Sequence, residues 1–287
     1  MASGDVRDPG EETIAGGKPA VVERVPTRRR SRLLWRAAPL IFPVVVLIVW
    51  YLVVEVTKPP VYLLPSPAAV AQALVRGDLN WPNQFWVTGQ EVIGGFLLAG
   101  AVGVVLAMVI SWNPLLSRII LPSVVVFDTL PKVALVPLFL AYLGFGVVPN
   151  IFISAIIAFF PVLISSASGL QQANPDLLDL ASSLGASRWR VFFRIRLPSA
   201  IPFILSGLRI ASTLTVTGAV FGEFLASRAG LGSITIQTEN NLQTDVAFAG
   251  LIYLGLVGYV LYTLVTWAGR LLFPWAAVEK NEATGRG

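Results

Sequence analysis

The sequence predicts an all-α, polytopic membrane protein with six transmembrane helices. Three observations carry that expectation. First, only 13% of the 287 residues are charged and 55% are hydrophobic, whereas a soluble domain carries about a quarter charged residues. Second, charge-free runs of membrane-spanning length recur along the chain. Third, Lys and Arg are distributed very unevenly between the connections. Mean hydropathy is +0.74. The chain has no Cys and no His, which removes disulfides, Cys or His nucleophiles and most zinc sites. The net charge of +5 does not imply nucleic acid, because basic residues of membrane proteins gather on the cytoplasmic side for topological reasons.

Residues 1–33 are rich in Gly, Glu, Pro and Arg and lack the apolar mass to fold alone, so a disordered tail is expected. Arg28, Arg29, Arg30, Arg32 and Arg36 precede the first apolar run and read as a topology anchor, in preference to a nucleic-acid-binding arm. A cleaved signal peptide is not expected, since the basic preamble is long and no small-x-small site follows. The membrane domain is expected over residues 34–275, with a second tail over 276–287.

Residues 37–54, 92–117 and 246–269 contain no charge, and residues 200–222 contain only Arg209. Residues 133–175 run uncharged for 43 positions, roughly 65 Å of helix, about twice a bilayer core. That run must hold two spans, and Gly144-Phe145-Gly146 with Pro149-Asn150 is the turn between them. The six expected spans are about 37–57, 89–112, 129–145, 149–169, 200–224 and 246–272. Between the first two, a short helix is expected from about Ser66 to Arg76. Tyr62, Trp81 and Trp86 there suit an interfacial aromatic belt.

Sixteen Lys and Arg fall on the side of the N-terminus, of the connections after spans two and four and of the C-terminus. Three, Lys58, Arg76 and Arg228, fall on the other. The positive-inside rule therefore places both termini in the cytoplasm.

The most informative stretch is Asn174–Pro198, NPDLLDLASSLGASRWRVFFRIRLP. Asn174 is a good N-cap with Pro175 at the first helical position. Asp176 and Asp179 put negative charge in the first turn. Leu177, Leu178, Ala181 and Leu184 recur at helical spacing and give an apolar face. Gly185 ends this helix. Ser187 caps a second one, which carries Arg188, Arg190, Arg194 and Arg196 beside Trp189, Phe192 and Phe193 and is expected to close at Pro198. By pattern alone the stretch is an amphipathic connector on a membrane surface.

Its spacing also resembles the EAA signature of ABC importer permeases: acidic-Ala-Ala, three residues, Gly, nine residues, Ile-x-Leu-Pro. Here it stands as Asp179, Leu180, Ala181, then Gly185, then Ile195, Leu197 and Pro198. Asp179 replaces the usual Glu and Leu180 the usual Ala. The run SLGASRWRVFFRIRLP looks most like the nitrate/sulfonate/taurine branch, and the resemblance extends over roughly residues 85–272. It implies that the stretch is a cytoplasmic coupling helix between spans four and five. Asp179, Ala181, Leu184, Gly185, Arg188, Leu197 and Pro198 would then meet an ATPase subunit. It further implies two ATP-binding subunits, a second permease copy, an extracytoplasmic solute-binding protein and a bacterial inner-membrane location. The chain has no G-x-x-x-x-G-K-[ST] loop, so no ATP hydrolysis and no cofactor are expected in it. ATP and Mg belong to the partner subunit.

Charges inside a membrane need a reason. Lys132, near Asp128, is either a surface pair reaching water or a contact with the ATPase subunit or the pathway's inner mouth. Arg209 lies about ten residues into span five and is expected to face a water-filled cavity, a partner permease or a carboxylate. Glu223, near that span's outer end, is either reached by solvent or part of a gate. Gly94, Gly95, Gly100, Gly103, Gly255 and Gly258 suit close helix packing. The remaining alternatives are a self-contained secondary transporter or channel, which would show repeats and several intramembrane ionisable residues, and a non-transporting scaffold with a docking helix.

Overall fold

The computed structural model describes residues 32–276. The expected tails fall outside the described residues, apart from the few positions that adjoin the membrane domain. The chain divides between Ile48 and Val49 into two units. Among the described residues the first holds only the start of α1 (Arg32–Thr57), and the second holds everything after it.

Every element of the described residues is a helix or a turn. The second unit continues through α2 (Pro67–Leu74), α3 (Trp81–Trp112), α4 (Pro114–Asp128), α5 (Val136–Leu143) and α6 (Val147–Gln171). Then come α7 (Pro175–Ser183), α8 (Arg188–Val191), α9 (Leu197–Ala226), α10 (Leu231–Asn240) and α11 (Thr244–Leu272). Four helical runs are long and apolar enough to cross a bilayer: α3, α6, the run Arg188–Leu225 that contains α9, and α11. The bent pair Leu115–Asp128 and Lys132–Leu143 makes a fifth if counted as one span, and the 26-residue α1 carries a further apolar stretch, Ile41–Thr57. Among the described residues four or five spans thus pass on length and composition, and α1 stands where the first of the six expected spans was placed.

Span three has a second limb that was not expected. The helix there begins at Pro114, well before the expected 129, and breaks after Asp128 with an 80° bend. Pro131 explains the break, since it supplies no N–H and restricts the residue before it. Lys132 staples the bend. Its Nζ donates to the Asp128 carboxylate at 2.6 Å and to the Asp128 carbonyl at 2.9 Å, and it lies 5.0 Å from the Phe160 ring. The predicted Gly144–Gly146 turn is present, with φ of 78° and 122° at its two glycines. Pro149 and Asn150 are not part of it; they form the first turn of α6 and are buried.

The core is the packing of α3, α6 and α9, which small residues make possible. A Cβ on Gly95 or on Gly218 would strike Ser154. One on Gly103 would lie 3.0 Å from Val162, and one on Gly207 2.9 Å from Ser165. Without a large apolar transfer term between helices in lipid, such close contact supplies the attraction. Of the glycines expected at interfaces, Gly255 stands in open space and Gly258 makes only an ordinary 3.4 Å contact with Val216.

The helix expected near Ser66–Arg76 is α2, with Ser66 as N-cap accepting from the Ala69 N–H at 3.1 Å. Trp81 departs from the expected aromatic belt. It is buried, donates to the Ala73 carbonyl and packs 4.9 Å from Tyr253, while Tyr62 and Trp86 are exposed.

Candidate functional site

Two regions hold the candidate residues. The first is the stretch after α6. Asn174 caps α7 by accepting from the Asp176 N–H at 2.9 Å, and Pro175 opens the helix. At its end the Gly185 N–H donates to Ser182 O and the Ala186 N–H to Ala181 O, with Gly185 at φ 68°. This paired arrangement is a Schellman cap, which needs a left-handed residue where glycine stands. Ser187 then caps α8 through the Arg190 N–H.

The second helix does not close at Pro198. The Leu197 N–H reaches back five residues to Phe192 O, forming a π-turn over Phe192–Arg196. That widened turn makes room for the Pro198 ring and leaves its missing N–H harmless. The helical track therefore runs unbroken from Arg188 to Leu225. Its base is clamped to the end of α3, where Trp112 lies 4.4 Å from Trp189 and 5.1 Å from the buried Phe192.

On α7, Leu177, Leu180 and Leu184 are 50%, 56% and 78% exposed. Ala181 is half-buried between them and Asp179 is exposed. Leu178, expected on this face, instead turns into a cleft of about 340 Å³ lined with Trp112, Ser182, Arg188 and Arg196. Leu180, the departure from the family pattern, takes its place on the outward face. Leu197 and Pro198 are half-buried in the first turn of α9, away from that face.

The second region joins α3, α6, α9 and α10. Glu223 is 1% exposed, so solvent does not reach it. Both its oxygens accept hydrogen bonds: Oε1 from Thr88 Oγ1 at 2.6 Å, Oε2 from the Gly232 N–H at 2.5 Å and the Ser233 N–H at 3.2 Å. Thr88 Oγ1 in turn accepts the Leu231 N–H at 2.8 Å, and Gln84 accepts the Gly230 N–H at 2.6 Å. The open N–H groups at the start of α10 are thus satisfied by side chains from two other helices, as a helix N-terminus requires. Gly230, at φ 120°, lies so close to the Glu223 carboxyl that a side chain would displace it.

Sequence reasoning missed the neighbour of this clasp. Glu91 is 1% exposed, and its Oε1 accepts from Asn150 Nδ2 at 2.9 Å. The same nitrogen donates to Ser227 Oγ at 2.8 Å. Glu91 also lies within hydrogen-bond reach of the Glu223 carboxyl, and Asn150 Oδ1 has no partner among the described residues. The available signal was a carboxylate at the edge of an apolar run. A cavity of about 810 Å³ opens beside this group, lined with Glu91, Glu223, Phe145, Phe224, Gln237 and Arg228 among others.

Arg209 is half-buried on α9 and makes no ion pair among the described residues; its Nε is buried without a partner. The exposed stripe beside it carries Ser206, Ile210, Thr213 and Thr217.

Residues 99–278 match the family of binding-protein-dependent transport system inner membrane components. The chain is 35% identical over 230 residues to a probable ABC transporter permease protein of Haemophilus influenzae, covering 80% of this chain and 94% of that protein. It is 33% identical to the riboflavin transport system permease protein RibX of Chloroflexus aurantiacus, covering 89% and 97%. It is 27% identical to the putative aliphatic sulfonates transport permease protein SsuC of Bacillus subtilis, covering 86% and 90%. In fold it resembles a chain of the inward-facing MetNI methionine ABC transporter, with a TM-score of 0.57 at 19% identity over 70% of this chain and 99% of that one.

Proposed function

Because the chain belongs to the binding-protein-dependent transport system inner membrane component family and is an ABC transporter permease component, we propose that it forms half of the pathway of an ATP-driven importer. A second copy supplies the other half, two ATP-binding subunits drive it, and an extracytoplasmic solute-binding protein delivers the solute. Both termini and α7 lie on the cytoplasmic side of a bacterial inner membrane.

The observation that carries this reading is the outward face of α7. Leu177, Leu180 and Leu184 form a bare apolar patch on a capped, well-formed helix, and such a patch requires a cover. The ATP-binding subunit is that cover. Its movement of α7 passes through the Gly185 cap into a helix continuous with α9, with Asp179 and Arg188 at the edges of the contact. Arg209 and the Ser206–Thr217 stripe face the pathway or the second copy, because an Arg at that depth is costly in lipid. Lys132 holds the α4–α5 bend and Glu223 the start of α10, so both shape the pathway without touching the solute. The solute is small and of the nitrate, sulfonate or taurine type; the sulfonate relative supports this class, and the riboflavin relative shows that the family admits others.

Gly185→Val tests the reading. Valine in a left-handed conformation costs more than the roughly 1–2 kcal/mol of an ordinary residue, so the cap is disrupted. The variant should stay in the membrane yet lose ATP-binding-subunit association or transport-linked hydrolysis, as should Asp179→Lys. If both variants keep association, hydrolysis and uptake, α7 is only an amphipathic connector.

A further inference from the structure

We propose that the cleft behind α7 binds the phosphate group of an anionic phospholipid, such as phosphatidylglycerol, and so braces α7 against the base of the helical track that becomes α9. The site is separate from the face that the importer reading gives to an ATP-binding subunit. It needs only that this base lie at a membrane surface.

The helices set the depth. The track Arg188–Leu225 holds 38 residues, roughly 57 Å, more than the roughly 40–45 Å of a bilayer with its headgroups. Its basic run, Arg188 to Arg196, adjoins the apolar part that starts at Leu197. Trp112, the last residue of the membrane-crossing helix α3, meets this run at Trp189 and Phe192. Trp189 and Phe193 are exposed and stack on each other at 5.6 Å. Aromatic side chains gathered at the ends of two spans mark the membrane–water interface. Just beyond Trp112, Leu115 and Ile119 of α4 are bare, an apolar surface for acyl chains.

The cleft itself suits an anion. Arg188 and Arg196 line it, no acidic residue does, and neither arginine makes an ion pair among the described residues. Two guanidinium groups can hold phosphate oxygens through charge-assisted hydrogen bonds, and Ser182 adds a hydroxyl. The volume of about 340 Å³ admits a headgroup but no whole lipid, whose chains must lie outside. Leu178 and Ser182 come from α7 and Arg196 from the π-turn at the base of α9, so a phosphate held between them ties the two together. At 100° per residue, Leu178 and Ser182 point away from Leu177, Leu180 and Leu184. The outward face of α7 therefore stays free for a partner.

The test supplies the full chain in micelles with equal amounts of phosphatidylglycerol and phosphatidylcholine and counts the retained lipids by native mass spectrometry. Wild type should prefer phosphatidylglycerol about 20-fold, at about fivefold for each cleft arginine. Arg196→Gln should lower that preference about fivefold, and Arg196→Lys, which keeps the charge without the planar fork, should lower it less. Arg190→Gln and Arg194→Gln remove the same charge from the same run but outside the cleft lining, and each should change the preference by less than about twofold. Equal retention of the two lipids by wild type overturns the proposal. So does a loss in Arg190→Gln or Arg194→Gln equal to that in Arg196→Gln, the mark of a diffuse positive surface. Excess inorganic phosphate should leave the lipid in place; displacement would assign the cleft to a free phosphate and overturn the lipid site. Should Arg196→Gln fail to fold, the wild-type ratio, Arg196→Lys and the two outside variants decide. No arm contains an ATP-binding subunit, so loss of the lipid preference refutes this site alone, and failure to capture that subunit refutes the importer reading alone.

Discussion

Replacing Glu223 by Ala should unfasten α10 from α3 and α9. Three donors lose their acceptor: the Gly232 and Ser233 N–H groups and the Thr88 hydroxyl. All three are buried, and lipid offers no replacement partner. At about 1–3 kcal/mol for each orphaned group, and with partial relaxation, the loss is about 3–6 kcal/mol. For a protein of this size that is a fall of about 6–20 °C in melting temperature. Glu223→Gln keeps one carbonyl oxygen and should cost about 1–2 kcal/mol. Thr88→Val removes the shared link, and a double-mutant cycle with Glu223→Ala should show coupling of about 0.5–3 kcal/mol. Thermal unfolding in detergent micelles, followed by circular dichroism, gives all three values. A melting temperature for Glu223→Ala within about 2 °C of wild type would refute the clasp.

Two further expectations concern the pathway and the sidedness. Arg209→Ala should lower uptake while leaving the melting temperature nearly unchanged, because Arg209 has no ion pair to lose among the described residues; uptake at the wild-type rate would show that it serves neither pathway nor partner. Ser187→Cys in this Cys-free chain should resist an impermeant thiol reagent added to intact cells, and labelling from outside would reverse the proposed orientation.

What the sequence revealed is what local chemistry decides. Asn174, Pro175 and Gly185 mark the ends of α7 because caps depend on neighbouring residues only, and the same holds for Ser66 and for the glycines at 144 and 146. The face of α7 was legible as a periodicity, but not which side of it packs. Leu178 turns inward because Trp112, from a different helix, builds the cleft it lines. The limb before span three went unseen because Arg118 and Asp128 looked like span boundaries, whereas they lie within and at the end of one helix, α4. The buried polar group was hidden for the same reason. Glu91 meets Asn150 across 59 positions and Thr88 meets Glu223 across 135, distances over which periodicity carries no information. Asn150 looked like part of a turn because Pro149 precedes it; proline in the first turn of a helix fits equally well.

An ATP-binding subunit that covers the outward face of α7 should be within crosslinking reach of it. Leu184→Cys places a single thiol at the most exposed point of that face, 78% exposed. Leu97→Cys places one on the bare side of α3, 61% exposed, as a lipid-facing control. With the ATP-binding subunit co-expressed in the assembled transporter, a short thiol-anchored photo-crosslinker should join Leu184→Cys to that subunit and leave Leu97→Cys unjoined. No crosslink from Leu184→Cys, or equal crosslinking from both positions, would contradict the account.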